Sequence, residues 1–149
     1  MAQTINQFGL DLIKHFEGVR LDAYQDVKGI WTIGVGHIKG VTQGMHITEA
    51  QVDAFLRADL HDAEAAVNTG VGDAPTTSNQ FSAMVSLCFN IGGGAFHSST
   101  VLRQHKAGNH AAAADAFLMW NKATINGQLQ PVAGLTNRRT AEKTLYLTP

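Results

Sequence analysis

A single cysteine, Cys88, denies this chain any internal disulfide and excludes the small secreted folds that depend on such bonds. It lies in the apolar run MVSLCF, where a small buried thiol is expected. Metal ligands are equally scarce. Among seven histidines, neither His61-x-x-Glu64 nor His105-x4-His110 has zinc spacing, and no thiol cluster exists. Scattered surface histidines, with no metal and no cofactor, are the expectation. No apolar run approaches membrane-spanning length, so direct membrane insertion is not expected. The opening MAQTINQFGL lacks the basic-then-apolar form of a signal peptide, which points to a cytoplasmic product where it is made. Eleven Lys/Arg against twelve Asp/Glu give a formal net charge of −1. With no basic, aromatic-rich patch either, no nucleic-acid partner is expected. Repeats, low-complexity tracts and linkers are absent as well.

What is present is the composition of an ordinary globular domain: 149 residues, 44% hydrophobic and 15% charged, read as one unit spanning 1–149. The charge is uneven. Residues 1–99 carry five Lys/Arg against ten Asp/Glu, and residues 100–149 carry six against two. The basic C-terminal part either faces an anionic polymer or balances the acidic lobe.

The chemistry concentrates in Ile13–Ile38. Ile5, Phe8, Leu12 and Phe16 recur at helical spacing, Thr4 with Gln7 has the form of a capping box, and Gly18 is a stop. Glu17 then falls in the last turn, at the negative end of the helix dipole, where a carboxylate is disfavoured relative to its protonated form. Asp26-Val27-Lys28-Gly29 predicts a turn and Ile30–Val35 a strand. Trp31, Ile33 and Val35 share one face; Thr32, Gly34 and Gly36 share the other, a poor core surface but an open approach to backbone. Two carboxylates and a hydroxyl raise a general acid–base site, although nine extended residues span roughly 30 Å and the chain must double back to join them.

Downstream, Thr48 and Gln51 predict a capping box opening a helix with Val52, Phe55, Leu56, Leu60, Ala63 and Val67 on one side. Its acids Asp53, Asp59, Asp62 and Glu64 suggest a solvated opposite face. Gly70–Pro75 reads as a loop. Thr77 or Ser78 caps a helix that is apolar nearly all round and should be the buried centre of the second lobe. Gly92–Gly94 resembles a phosphate loop only superficially, since no Lys-Ser/Thr follows, and reads as a helix stop with a tight reversal. Ser98 or Ser99 caps a short helix to about Lys106, and Asn109 caps one from His110 to Trp120. Residues 121–134 read as a long polar loop. Arg138-Arg139 begins the last helix, which turns Ala141, Leu145 and Leu147 inward. His37 is expected to bond a carboxylate that ties the hairpin to the rest of the chain.

The run FEG-x(7)-D-x(5)-TIGVGH closely resembles the catalytic stretch of phage-type lysozymes, the endolysins of glycoside hydrolase family 24. FNIGGGAFHSSTVL (Phe89–Leu102) and GLTNRRTAE (Gly134–Glu142) are similar to the same family, in the same order. The resemblance implies an α+β, lysozyme-like fold with a small N-terminal β-hairpin lobe, a larger all-helical C-terminal lobe and a cleft between. It implies hydrolysis of the β-1,4 bond between N-acetylmuramic acid and N-acetylglucosamine in peptidoglycan glycan strands. Glu17 takes the role of general acid, with Asp26 and Thr32 holding water and stabilising charge; Ile38, Phe89 and Ser99 become sugar-contacting positions. One of Arg138 and Arg139 would approach Glu17, favouring the ionised acid against the dipole. The expected form is a monomer, made in the host cytoplasm and dependent on a separate membrane pore protein to reach the wall. A lytic transglycosylase and a non-catalytic wall-binding module are the competing readings.

Overall fold

From Gln80 to Cys88 every residue is buried, so the helix that carries them has no solvent face along that stretch. The computed structural model describes residues 2–149 and is arranged around that helix. In chain order the elements are α1 (Gln7–Glu17), β1 (Arg20–Gln25), β2 (Trp31–Gly34), α2 (Glu49–Asp59), α3 (His61–Val71), α4 (Ser78–Ile91), α5 (Gly93–His97), α6 (Thr100–Lys106), α7 (His110–Ala116), β3 (Lys122–Ile125), β4 (Gln128–Pro131) and α8 (Ala133–Leu147). A 3-10 turn, Phe117–Trp120, joins α7 to β3. The buried helix is α4, and α1, α3 and α8 pack on it. This is the expected α+β arrangement: a small hairpin lobe followed by a larger, mainly helical one.

Local sequence explains most boundaries. Thr77 and Gln80 form a full capping box at the start of α4, and Thr48 with Gln51 does the same for α2. The first helix starts later than Thr4. Asn6 is its cap, accepting from the Gly9 N–H at 3.0 Å while its amide donates to Ser78 Oγ and Asn79 Oδ1. That cap ties α1 to α4 as it starts the helix. Gly9 lets the two approach: a Cβ there would lie 2.7 Å from Ile5 and 2.9 Å from Ser82.

The small lobe is a two-stranded antiparallel hairpin in which Tyr24 faces Thr32 and Arg20 faces Gly34, with an irregularity between. Ile33 and Val35 reach the core from its inward face. His37 behaves as expected, with Nδ1 2.8 Å from Asp59 Oδ2 and the ring stacked on Phe55.

Several expectations are corrected. The helix after Thr48 breaks at Leu60 into α2 and α3, and Gly70 sits inside α3 rather than in a loop. Glu64 is buried, because its carboxylate accepts the Ile5 N–H at 2.8 Å; Asp53 pairs with Lys14. Gly92 stops α4 as expected, but Gly93–His97 form a helical turn at once. The α7 segment ends at Ala116, and the Asn109 amide bonds Gln104 instead of capping it. Residues 122–131 are a β-hairpin, not loop, turning through Asn126 and Gly127 at positive φ. The C-terminal lobe is therefore not all helix. The last helix, α8, begins at Ala133 rather than at Arg138; its inward residues are Arg138, Arg139, Glu142 and Tyr146, while Leu147 is exposed.

His105 is not a surface histidine. It is buried, with Nε2 2.8 Å from Thr76 Oγ1 and Nδ1 2.6 Å from Tyr146 OH. Burial, with a smaller push from His110, lowers it from 6.5 to about 4. Its contribution to stability is complete above pH 6.5 and is lost as pH falls towards 4, because the unfolded chain binds the proton first. A gap of that size is worth about 3 kcal/mol. The urea midpoint is expected to decline over this window, and His105→Gln to flatten the decline.

Candidate active site

The first helix ends where its sequence says it must. Gly18 adopts φ +81° and returns its N–H to Lys14 O at 3.0 Å, leaving Glu17 as the final helical residue. Its side chain is 31% exposed, and Oε2 accepts from Arg138 Nη1 at 2.6 Å. Arg138, not Arg139, is the arginine that reaches it. No hydrogen bond from the described residues uses Glu17 Oε1.

Arg138 is held from behind. Its Nη2 donates to Ser86 O at 3.2 Å and its Nε to Glu142 Oε2 at 3.3 Å. The Ser86 hydroxyl donates to the same Oε2. Arg139 Nε lies 2.9 Å from Glu142 Oε1, an ion pair without hydrogen-bond alignment, and its Nη2 donates to Asn90 Oδ1 at 2.7 Å. Glu142 and Arg139 are fully buried. Burial pushes the Glu142 carboxyl up, against the pull of Arg139, the Ser86 hydroxyl and Arg138; burial likewise lowers Arg139, against Glu142. Two guanidinium groups and a hydroxyl face the Glu142 oxygens, an arrangement that favours the carboxylate.

These groups close the back of a pocket of about 350 Å³ lined by Phe16, Glu17, Asn90, Val132, Leu135 and Arg138. It lies where the ends of α1 and α4 meet the start of α8. The second hairpin delivers Val132 to its edge: Val132 N–H bonds Asn121 O, and the Asn121 amide bonds Thr136 Oγ1.

Asp26 and Thr32 come together through the backbone of one residue, Ile30. Asp26 Oδ1 accepts the Lys28 N–H at 2.8 Å and the Ile30 N–H at 2.9 Å. Ile30 O in turn accepts the Asp26 N–H and the Thr32 hydroxyl, both at 2.9 Å. Asp26 Oδ2 is left out of these bonds, and the Thr32 oxygen keeps its lone pairs. Thr32 itself is buried. The hairpin turns back on itself, so that Gly34 of β2 faces Arg20, which opens β1 three residues after Glu17. Thr32 stands two residues, about 7 Å of strand, from the Gly34 that faces the start of β1.

The three expected sugar-contacting positions separate. Ile38 is 54% exposed beyond the hairpin, and Phe89 lines a different pocket, beside Asp59 and Gly92. Ser99 is buried and caps α6, donating to Phe96 O and accepting from the Leu102 N–H. None of them lines the Glu17 pocket. Sequence reasoning passed over Ser86, Asn90 and Glu142. The available signal for Glu142 was its place one helical turn beyond an Arg-Arg pair; Ser86 gave none inside an apolar run.

A family model described as phage lysozyme matches residues 14–142. An endolysin of Acyrthosiphon pisum secondary endosymbiont phage 1 is 45% identical over 95% of this chain and 97% of its own. The endolysin of Salmonella phage P22 is 43% identical over 96% and 97% respectively. Among solved structures, the muramidase domain of SpmX from Asticaccaulis excentricus superposes with a TM-score of 0.89 and 45% identity, covering 99% of both chains.

Removing one charge from the buried set strands its partner. Arg138→Met is expected to lower stability by roughly 3–5 kcal/mol, read from urea unfolding, because Glu142 loses a donor it cannot replace with water.

Proposed function

The chain belongs to the phage lysozyme family and is a lysozyme-type glycoside hydrolase, and from that premise we infer that it is an endolysin muramidase. In this reading it hydrolyses the β-1,4 bond between N-acetylmuramic acid and N-acetylglucosamine in peptidoglycan, lysing the host cell.

The observation that carries the reading is a partly exposed glutamate at a pocket wall, fixed through one oxygen by a buried arginine. With Oε2 held by Arg138, Oε1 is the oxygen that carries the proton to the leaving glycosidic oxygen. The guanidinium then stabilises the carboxylate that this transfer leaves behind. Asp26 is held in place by two backbone N–H groups through Oδ1, so Oδ2 is available to a water and to positive charge developing at the anomeric carbon. The Thr32 hydroxyl spends its proton on Ile30 O and can accept one from that water. An inverting displacement of this kind needs the two carboxyl groups about 6.5–9.5 Å apart, to leave room for the water.

Glu17→Gln keeps shape and removes the proton. It is expected to lower the rate of sugar release from purified Gram-negative peptidoglycan by ~10²–10⁴, and a variant that clears outer-membrane-permeabilised cells at wild-type speed would remove Glu17 from the mechanism. Products should carry reducing muramic acid ends. Anhydro ends would instead assign a lytic transglycosylase, and binding without any release a non-catalytic wall module.

A further inference from the structure

We propose that Glu142 is a positioning residue for this reaction: from the buried side of α8 it holds Arg138 so that Arg138 sets the Glu17 carboxylate. The proposal rests on the glycosidase reading above and adds to it a residue that does not touch the substrate.

Three features of the geometry support it. Glu142 is fully buried and lies one helical turn beyond Arg138, so its carboxylate meets the guanidinium from behind while Nη1 points forward to Glu17. The grip is double, since the Ser86 carbonyl takes Nη2 while the Ser86 hydroxyl pins Glu142 Oε2. The other carboxylate oxygen faces Arg139, whose Nη2 bonds Asn90 Oδ1. One carboxylate thus stands behind two arginines, and each arginine holds a different polar side chain of the same pocket. Glu17 and Asn90 are those side chains.

Without this hold the Arg138 head swings on a flexible stem, and Glu17 loses its fixed orientation. Misplacement by about 1 Å costs on the order of 10²-fold in rate when a reacting group is involved. A purely structural Glu142 would affect stability alone. A positioning Glu142 affects turnover, leaves substrate affinity nearly unchanged, and acts only through Arg138.

The test uses the full chain and purified peptidoglycan, with kcat and KM from reducing-end release and thermal midpoints measured alongside. Glu142→Gln is expected to lower kcat about 10-fold or more, with KM within about two-fold of wild type. In an Arg138→Lys background the same substitution should cost almost nothing further, because the interaction it acts through is already altered. The proposal is overturned if Glu142→Gln keeps wild-type kcat, if its whole effect lies in KM, or if it adds fully to Arg138→Lys. Should Glu142→Gln fail to fold, Ser86→Ala loosens the same carboxylate by removing one hydroxyl. A lower kcat at unchanged KM then supports the proposal, and an unchanged kcat overturns it. Wild-type protein that releases no sugar would defeat the glycosidase reading, whereas an active wild type beside an indifferent Glu142→Gln defeats only this one.

Discussion

Two arginines and a glutamate on one buried face of a helix persist only as a set. Taking an ion out of water costs several kcal/mol, and the cost is recovered only when each charge finds opposite charge and donors in good geometry. On α8 that condition is met by Glu142 between Arg138 and Arg139, with the Ser86 hydroxyl on one carboxylate oxygen. Three charges leave one positive unit over. The Glu17 carboxylate supplies the balance, from the last turn of α1. The residue proposed as the acid at the pocket wall is therefore the same residue whose ionised form balances the buried charges of the larger lobe.

This coupling explains why the fold is built around α4. Ser86 lies in the middle of that helix, with buried residues on both sides. Gly9 lets α1 lie close against α4, and Asn6 ties the start of α1 to the start of α4. The position of Glu17 is thus set at both ends: by close packing nine residues upstream of Gly18, and by an arginine anchored to the same central helix. The hairpin uses a different device. Asp26 and Thr32 are both bonded to the backbone of Ile30, so their relative geometry is local and needs little from the core. His37 and Asp59 then fasten the hairpin to the helical segment behind it.

Much of this was legible in the sequence where a single residue decides local structure. Gly18 ending α1, the capping box at Thr48, a cap at Thr77 or Ser78, and a carboxylate partner for His37 all follow from side-chain chemistry that acts within a few residues or has one obvious need. The approach of an arginine to Glu17 was legible, but which arginine was not, because neighbouring helical positions differ by about 100° in direction and only packing selects one. Glu64, His105 and Glu142 were misassigned or missed for a common reason. Hydrophobic periodicity sends polar residues outward, yet each of these is buried because a specific distant partner meets it: the Ile5 N–H, Tyr146 and Thr76, and the two arginines. The hairpin at 122–131 was hidden differently. Asn126-Gly127 is a strong turn signal, but KATI and QLQP lack the alternation that would have marked them as strands, since almost every residue there is exposed.

The misreading of α8 has the widest consequence. Judged by apolar spacing, its inward face would be Ala141, Leu145 and Leu147, a stripe fit for packing alone. Its actual inward face is charged for little more than one turn and then ends in Tyr146, whose hydroxyl meets His105. Replacing a buried set of charges by well-packed apolar residues of similar volume is often neutral or stabilising. On α8 such a replacement would leave Glu17 with no guanidinium and Asn90 with no donor from behind. The buried charges therefore make better sense as machinery for orienting the pocket than as a source of stability, and the helix that carries them joins the core and the candidate site in one element.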